Sequence, residues 1–318
     1  MEIFPEICKI FYQGKKLKRN SGFFGVLKNY QLYMMLVPGA VFIFIFNYIP
    51  IYGVQIAFRD YYASLGFYRS PWVGFENFRR FFSSPDMGMI LYNTLFISIY
   101  ALIIGFPLPI ILSLLLNYSP SEKLKKLVQN ITYAPRFISV VVLVGIMLVF
   151  FAPSGAGSKI LTAFGVNSRL IMGTSVYFPH IYVWSGIWQN MGWDSIIYLA
   201  VLSGVDPELH EAAIVDGANI LNRIFHIDIP YVLPTAIILL VLSVGSIMNV
   251  GFEKVYLMQN SLNLTRSEVI ATYVYKMGLL NSDYSYAAAV SLFNNIINFS
   301  LLVLVNKIAR KFSGYGLW

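Results

Sequence analysis

The sequence predicts an all-α membrane protein that crosses the bilayer six times. Of its 318 residues, 57% are hydrophobic and only 12% are charged, whereas about 25% of the residues in a soluble domain are charged. Six stretches of more than 20 residues contain no Asp, Glu, Lys or Arg, and each is mostly apolar. This composition excludes a soluble enzyme and a disordered chain, and the single cysteine excludes a disulfide scaffold.

The six apolar runs are long enough to be transmembrane helices, each of which needs about 20 apolar residues. The runs are continuous and lack the alternation of barrel strands. A helix also satisfies its own backbone hydrogen bonds inside lipid. The predicted spans are residues 31–57, 90–116, 137–153, 181–202, 231–250 and 284–305.

Residues 1–30 form a basic tail before the transmembrane domain of residues 31–318. The apolar residues of the tail have helical spacing, which fits a helix on the membrane surface as well as a solvated segment. The two tails carry nine of the 23 Lys and Arg residues. By the positive-inside rule both termini of this multi-pass protein are predicted to be cytoplasmic.

The loop of residues 203–230, between the fourth and fifth spans, is unusually acidic for a cytoplasmic loop. Asp206 suits a helix N-cap and Pro207 suits the first helical position. Gly217 can adopt positive φ and end that helix. We therefore expect a short helix, a sharp turn and a second short helix over about 219–227, with Pro230 starting the next span.

This loop resembles the EAA loop of permease subunits of ABC importers. The resemblance rests on Glu211-Ala212-Ala213, on the glycine six residues after the glutamate, and on Ile227 with Pro230. It implies the fold of a type I, maltose-type permease, with a coupling helix that docks onto an ATP-hydrolysing partner subunit. The positions implied to contact that partner are Glu208, Glu211, Ala212, Ala213, Asp216, Gly217, Ile227 and Pro230.

Three further segments are similar to the carbohydrate branch of these permeases, which carries oligosaccharides and polysaccharide fragments: residues 70–74, 192–200 and 314–318. The resemblance implies a complex with a second, homologous permease, two ATP-binding subunits that use ATP and Mg, and an extracellular or periplasmic solute-binding protein. A permease for a non-sugar solute is the first alternative. A membrane-embedded, glycan-modifying enzyme is the second.

The chain shows no catalytic, cofactor or metal motif of its own. The glycine-rich segment around Gly155 and Lys159 lacks the spacing of a phosphate-binding P-loop. Three histidines and one cysteine offer neither zinc-ligand spacing nor a nucleophile with its base. We therefore expect a transport subunit that is not an enzyme.

The fourth span contains aromatic residues and Asp194, the one charged residue inside the predicted spans. Aromatic faces and polar groups suit sugar binding, and an intramembrane charge is a functional candidate. Polar residues in the last two spans either line a pathway or bond helix to helix. The pathway candidates are Trp184, Trp188, Asp194, Tyr198, Ser246, Asn249, Asn294 and Asn298.

Overall fold

The computed structural model describes residues 30–165 and 171–318, with the side chain of Leu32 left out. The interpretations of the N-terminal tail therefore lie outside the described residues. The chain divides into two compact units, Met1–Gln55 and Ile56–Trp318. The predicted boundary between tail and transmembrane domain stays a prediction.

The described part of the first unit is one helical run. Helix α1 (Tyr30–Ile43) passes into a π turn (Phe44–Tyr48) and then a 3-10 helix (Ile49–Phe58). Pro38 and Pro50 lie in this run, and each lacks the N–H that an α-helical bond requires.

The second unit is helical along most of its length, with short connections. Its helices are α2 (Gly66–Arg69), α3 (Glu76–Phe82), α4 (Met87–Gly105), α5 (Pro107–Asn117), α6 (Glu122–Tyr133), α7 (Val140–Phe150), α8 (Ala156–Ala163), α9 (Phe178–Leu202), α10 (Pro207–Val215), α11 (Ile220–Arg223), α12 (Ile229–Gly245), α13 (Phe252–Met258), α14 (Leu264–Ser267), α15 (Ile270–Tyr275) and α16 (Tyr284–Ser313).

Four helical runs of the described chain are long and apolar enough to cross a membrane. They are Tyr33–Phe58, Met87–Asn117, Ile220–Gly245 and Tyr284–Ser313. These runs overlap the first, second, fifth and sixth predicted spans, although the run at the fifth begins 11 residues earlier and ends five residues earlier than predicted, and the run at the sixth ends eight residues later. The fourth predicted span lies within α9, which has 25 residues and the necessary length but is not among the runs that are apolar enough.

The third predicted span, 137–153, is not one straight helix. Its helical part is α7, whose 11 residues rise about 16 Å, against a hydrocarbon core of about 30 Å. Helix α6 and the 3-10 turn Ala134–Phe137 precede α7 and meet it at an angle of 102°. Taken together, these two bent parts are long and apolar enough to cross a membrane. The bend follows from Pro135, which removes a backbone donor, and from Ser139, which caps a new helix by accepting from Val142 N.

Helix α9 lies at the centre of the second unit, packed against α4, α5, α6 and α12. Its approach to α6 depends on Gly192, where a Cβ atom would lie 2.2 Å from the carbonyl oxygen of Thr132. Helix α12 packs along α16. Helix α9 is therefore in contact with several helices, although Trp188, Trp193 and Asp194 in its middle are exposed.

The C-terminal segment folds back onto α16. Gly314 has a φ of +75° and ends the helix. The buried side chain of Asn306 then accepts a hydrogen bond of 2.8 Å from Leu317 N. The ending Gly314–Trp318 is thus attached to the last turns of the final span.

Candidate functional site

The loop of residues 203–230 begins with the short helix that its sequence predicts. The Asp206 carboxylate caps α10 by accepting a 3.0 Å hydrogen bond from Glu208 N, with Pro207 in the first turn. Gly217 ends the helix with a φ of +80°. Ala218 N then donates to Ala213 O at 2.8 Å, which is the reversal typical of a helix that ends in glycine.

The second short helix of the loop differs from the prediction. Residues 220–245 form one continuous helical run, in which α11 leads through the π turn Ile224–Asp228 into α12. Ile229 N bonds to Ile224 O, which is five residues earlier. Pro230 has no N–H and would crowd the preceding turn of an α-helix, and the wider π turn accommodates it. Pro230 therefore lies inside this run and does not begin it.

Most of the loop residues that the resemblance implies to contact a partner subunit are exposed. Glu208, Glu211, Ala212, Asp216, Gly217 and Pro230 are exposed, and Ala213 and Ile227 are half-buried. Several large apolar side chains beside them are more than half exposed: Leu209, Ile214, Val215, Ile220, Leu221 and Phe225. Exposed apolar side chains of this kind are typical of protein or membrane interaction sites.

Beneath that face lies a group that we call the Asp228 cluster: Tyr118, His210, Arg223 and Asp228. The side chain of Asp228 is fully buried. Its Oδ2 accepts a 2.6 Å hydrogen bond from the Tyr118 hydroxyl, and its Oδ1 lies 3.4 Å from His210 Nε2. The Arg223 guanidinium lies over the Tyr118 ring, 5.3 Å from its centre.

The Asp228 cluster joins three elements that are far apart in sequence. Tyr118 follows α5, His210 belongs to α10, and Asp228 immediately precedes α12. Burial, together with the hydrogen bond to Asp228, raises the pKa of Tyr118, so its hydroxyl keeps the proton that it donates. The site prediction did not include this cluster. The available signal was an aspartate between two isoleucines directly before an apolar span.

A cavity of about 490 Å³ opens beside α9, and we call it the α9 cavity. It is lined by residues of α4, α5, α9, α12 and α13. Asp194 and Tyr198, two of the pathway candidates, line it. Trp184 and Trp188 do not; each is 51% exposed, and Trp184 Nε1 donates to the Tyr100 hydroxyl at 2.9 Å.

The polar candidates of the last two spans form a separate group. Ser246 and Asn249 line a smaller cavity of about 180 Å³. Asn249 Oδ1 accepts hydrogen bonds of 3.0 Å from the amides of both Asn294 and Asn298. Those two amides are buried and connect α16 to the segment after α12. This arrangement matches the helix-bonding interpretation; a pathway role for these residues stays a prediction.

The α9 cavity contains one charged group that the sequence analysis did not single out. Lys254, on α13, lines the cavity and is only 8% exposed. Its Nζ donates to Tyr182 O at 2.8 Å and lies 4.7 Å from the centre of the Tyr182 ring. Because Lys254 follows the fifth span on the short helix α13, which has only seven residues, no periodicity indicated that it points inward.

No group of three or more metal-ligating side chains occurs among residues 30–165 and 171–318. The features that remain are an exposed helix with apolar side chains around it, the buried Asp228 cluster beneath it, and a cavity among helices that Asp194 and Lys254 line.

A match to a protein-family model identifies the family of this chain. Residues 105–314 match the binding-protein-dependent transport system inner membrane component family. The chain belongs to that family and is a permease subunit. The match includes α9, the 203–230 loop and the last two spans.

Relatives of known name extend the similarity over almost the whole chain. The chain is 42% identical to Protein LplB of Bacillus subtilis, over 90% of this chain and 91% of LplB. It is 37% identical to the polygalacturonan/rhamnogalacturonan transport system permease protein YteP of Bacillus subtilis, over 96% and 95%.

A solved structure shows the same fold. A bacterial alginate ABC transporter, crystallised in complex with an alginate pentasaccharide-bound periplasmic protein, contains a chain that matches with a TM-score of 0.85. The identity is 34%, over 92% of this chain and 98% of the other. The chain therefore has the type I ABC importer permease fold.

Proposed function

We propose that this chain carries oligosaccharides across the bacterial inner membrane as one permease of a binding-protein-dependent ABC importer. The observation that carries the proposal is the open α10 face and its apolar surround, on a chain of the permease family. A second permease would complete the pathway, and two ATP-binding subunits would supply energy from ATP and Mg. A solute-binding protein outside would deliver the sugar, as the complex of the alginate transporter suggests.

In this proposal the 203–230 loop and both termini face the cytoplasm. The exposed apolar side chains around α10 would be covered by an ATP-binding subunit, because a patch of this size is costly to leave in water. The Asp228 cluster would then pass a displacement of α10 to the ends of the second and fifth spans. Buried, hydrogen-bonded charges suit this task because separating them is costly.

The sugar is proposed to be an acidic oligosaccharide. Two relatives that are at least 34% identical are named for such material: polygalacturonan/rhamnogalacturonan in one case and alginate, an acidic polysaccharide, in the other. The net charge of +8 does not support this choice, since the terminal tails carry much of it. The support comes from the relatives.

The test is purification of the assembled complex through an affinity tag on this chain. We expect two ATP-binding subunits and a second permease to co-purify, and the sugar-loaded binding protein to stimulate ATP hydrolysis. Mass spectrometry of the glycan on the binding protein would identify the substrate. A chain that purifies without ATP-binding subunits, or a binding protein loaded with a non-sugar solute, would contradict the proposal.

A further inference from the structure

Lys254 is a buried cation in a place where proteins seldom leave one. Among the ion pairs found in the described chain, none includes Lys254. Its contacts are a backbone carbonyl and an aromatic face, both from Tyr182. An ammonium group has three N–H donors, so a single carbonyl leaves capacity for a ligand. A charge buried without an opposite charge is costly, and such a residue is a functional candidate.

The second charged group that lines the cavity is Asp194. Lys254 Nζ lies beside Gly186, only 3.3 Å from where a Cβ atom of that residue would be. Asp194 is eight residues further along α9, a rise of about 12 Å, toward the 203–230 loop. The two residues do not form an ion pair, so a cation and a carboxylate both line the cavity without neutralising each other by direct contact.

We propose that Lys254 binds a carboxylate of a uronic acid unit in the α9 cavity and thereby gives the permease its preference for acidic oligosaccharides. The proposal rests on the proposed function and names Lys254 as the residue that recognises the negative charge of the sugar. The cavity volume of about 490 Å³ falls within the range of about 300–1,000 Å³ that is typical of small-molecule sites.

The opposite charge at Asp194 fits a site that must also release its substrate. A transport site has to bind firmly enough to admit the substrate and weakly enough to let it leave. A carboxylate at the loop end accepts hydrogen bonds from sugar hydroxyls but repels a second uronate. The acidic chain is then held at one end only.

The first experiment measures binding of radiolabelled trigalacturonate to the purified complex without its binding protein. We expect Lys254→Met, which keeps the length of the side chain but removes its charge, to weaken binding about 10- to 100-fold. Lys254→Arg, which keeps the charge, should retain most of the binding. The fully methyl-esterified trisaccharide is the neutral probe, and its binding should be the same in wild type and Lys254→Met.

A second measurement does not depend on the stability of a variant. A water-soluble carbodiimide activates the carboxylate of bound trigalacturonate, and the neutral Lys254 amine then displaces the urea to form an amide. Mass spectrometry of the wild-type complex should find the sugar on Lys254, and excess unlabelled trigalacturonate should suppress it. The neutral ester should give no adduct.

The outcomes separate the two proposals. If wild-type cells take up no oligosaccharide, the proposed function fails, and the role of Lys254 falls with it. If they take up trigalacturonate while Lys254→Met binds it normally and no adduct forms, the role of Lys254 alone is refuted. An equal loss of acidic and neutral probes in Lys254→Met would also refute it, because a specificity residue must affect the charged probe more.

Discussion

Two buried charged groups in this permease have opposite surroundings. Asp228, at the loop end of the fifth span, is held by a tyrosine from the second span and by a histidine from α10. Lys254, at the opposite end of that span, has only a backbone carbonyl and an aromatic face, although Asp194 lines the same cavity. A charge whose partners lie within the chain fixes how elements move together, whereas a charge without a counter-charge is available to a ligand.

The largest effect is expected at the open face of the 203–230 loop. Glu211→Lys should abolish ATP hydrolysis coupled to transport in the assembled complex, because it reverses a charge on the surface proposed to meet the ATP-binding subunit. Insertion of the chain into the membrane should be unaffected, since Glu211 is exposed. Glu76→Lys, at an exposed position on α3, is the control for charge reversal. Normal coupled ATP hydrolysis in the Glu211→Lys variant would show that α10 is not part of the coupling surface.

Gly217→Val is expected to have a similar consequence through the backbone. A β-branched residue at a φ of +80° costs about 1–3 kcal/mol, which would reshape the end of α10 and its turn into α11. Coupled ATP hydrolysis should be lost, and Gly217→Asn should retain most of it because asparagine tolerates this conformation. Equal activity of the valine and asparagine variants would show that the turn geometry is unimportant.

The Asp228 cluster should show a graded and non-additive response. Asp228→Ala leaves Tyr118 and His210 without their shared partner and should lower the stability of the complex by about 3 kcal/mol. Tyr118→Phe removes one hydrogen bond and should cost about 1 kcal/mol. Thermal unfolding of the purified complex measures both.

The double variant Asp228→Ala/Tyr118→Phe sharpens this comparison. If the two groups act as one joint, the double variant should be no less stable than Asp228→Ala alone. Additive losses would indicate that the two side chains stabilise the bundle independently.

Smaller effects are expected in the α9 cavity apart from Lys254. Asp194→Asn should lower the sugar concentration for half-maximal uptake several-fold while leaving ATPase assembly intact, because the amide still accepts a hydrogen bond from a sugar hydroxyl but no longer repels a uronate in the cavity that Asp194 lines. Trp188→Ala should alter uptake less, because its half-exposed ring is outside the cavity lining. If neither variant changes sugar uptake, this face of α9 has only a structural role.

The membrane class and most of the spans could be predicted because lipid imposes a long apolar run on each crossing. Residues 137–153 are less regular than that argument expects, because a break near Pro135 and Ser139 separates Glu122–Phe137 from Val140–Phe150, and only the two together are long and apolar enough to cross a membrane. Apolarity can be counted from the composition of a segment, whereas the direction that a helix takes after a proline cannot. Local cap chemistry was equally readable, which is why Asp206 and Gly217 occupy their predicted roles.

The contacts of Asp228 and Lys254 could not be predicted in the same way. The Tyr118–Asp228 hydrogen bond joins residues 110 positions apart, and the Lys254–Tyr182 hydrogen bond joins residues 72 positions apart. Each depends on how helices pack, which no single segment encodes. The sequence identified Asp194 because it interrupts an apolar run, whereas Lys254 follows such a run and had no distinguishing pattern.

The π turn at residues 224–228 has a mechanical consequence. Because it lets the helix continue through Pro230, the 26 residues of Ile220–Gly245 form one rod of about 39 Å. A rod of that length is a lever: a tilt of about 5° at the loop end moves the other end by about 3 Å. That other end leads directly into the segment that carries Lys254, so we expect a small displacement of the loop to move Lys254 relative to the α9 cavity.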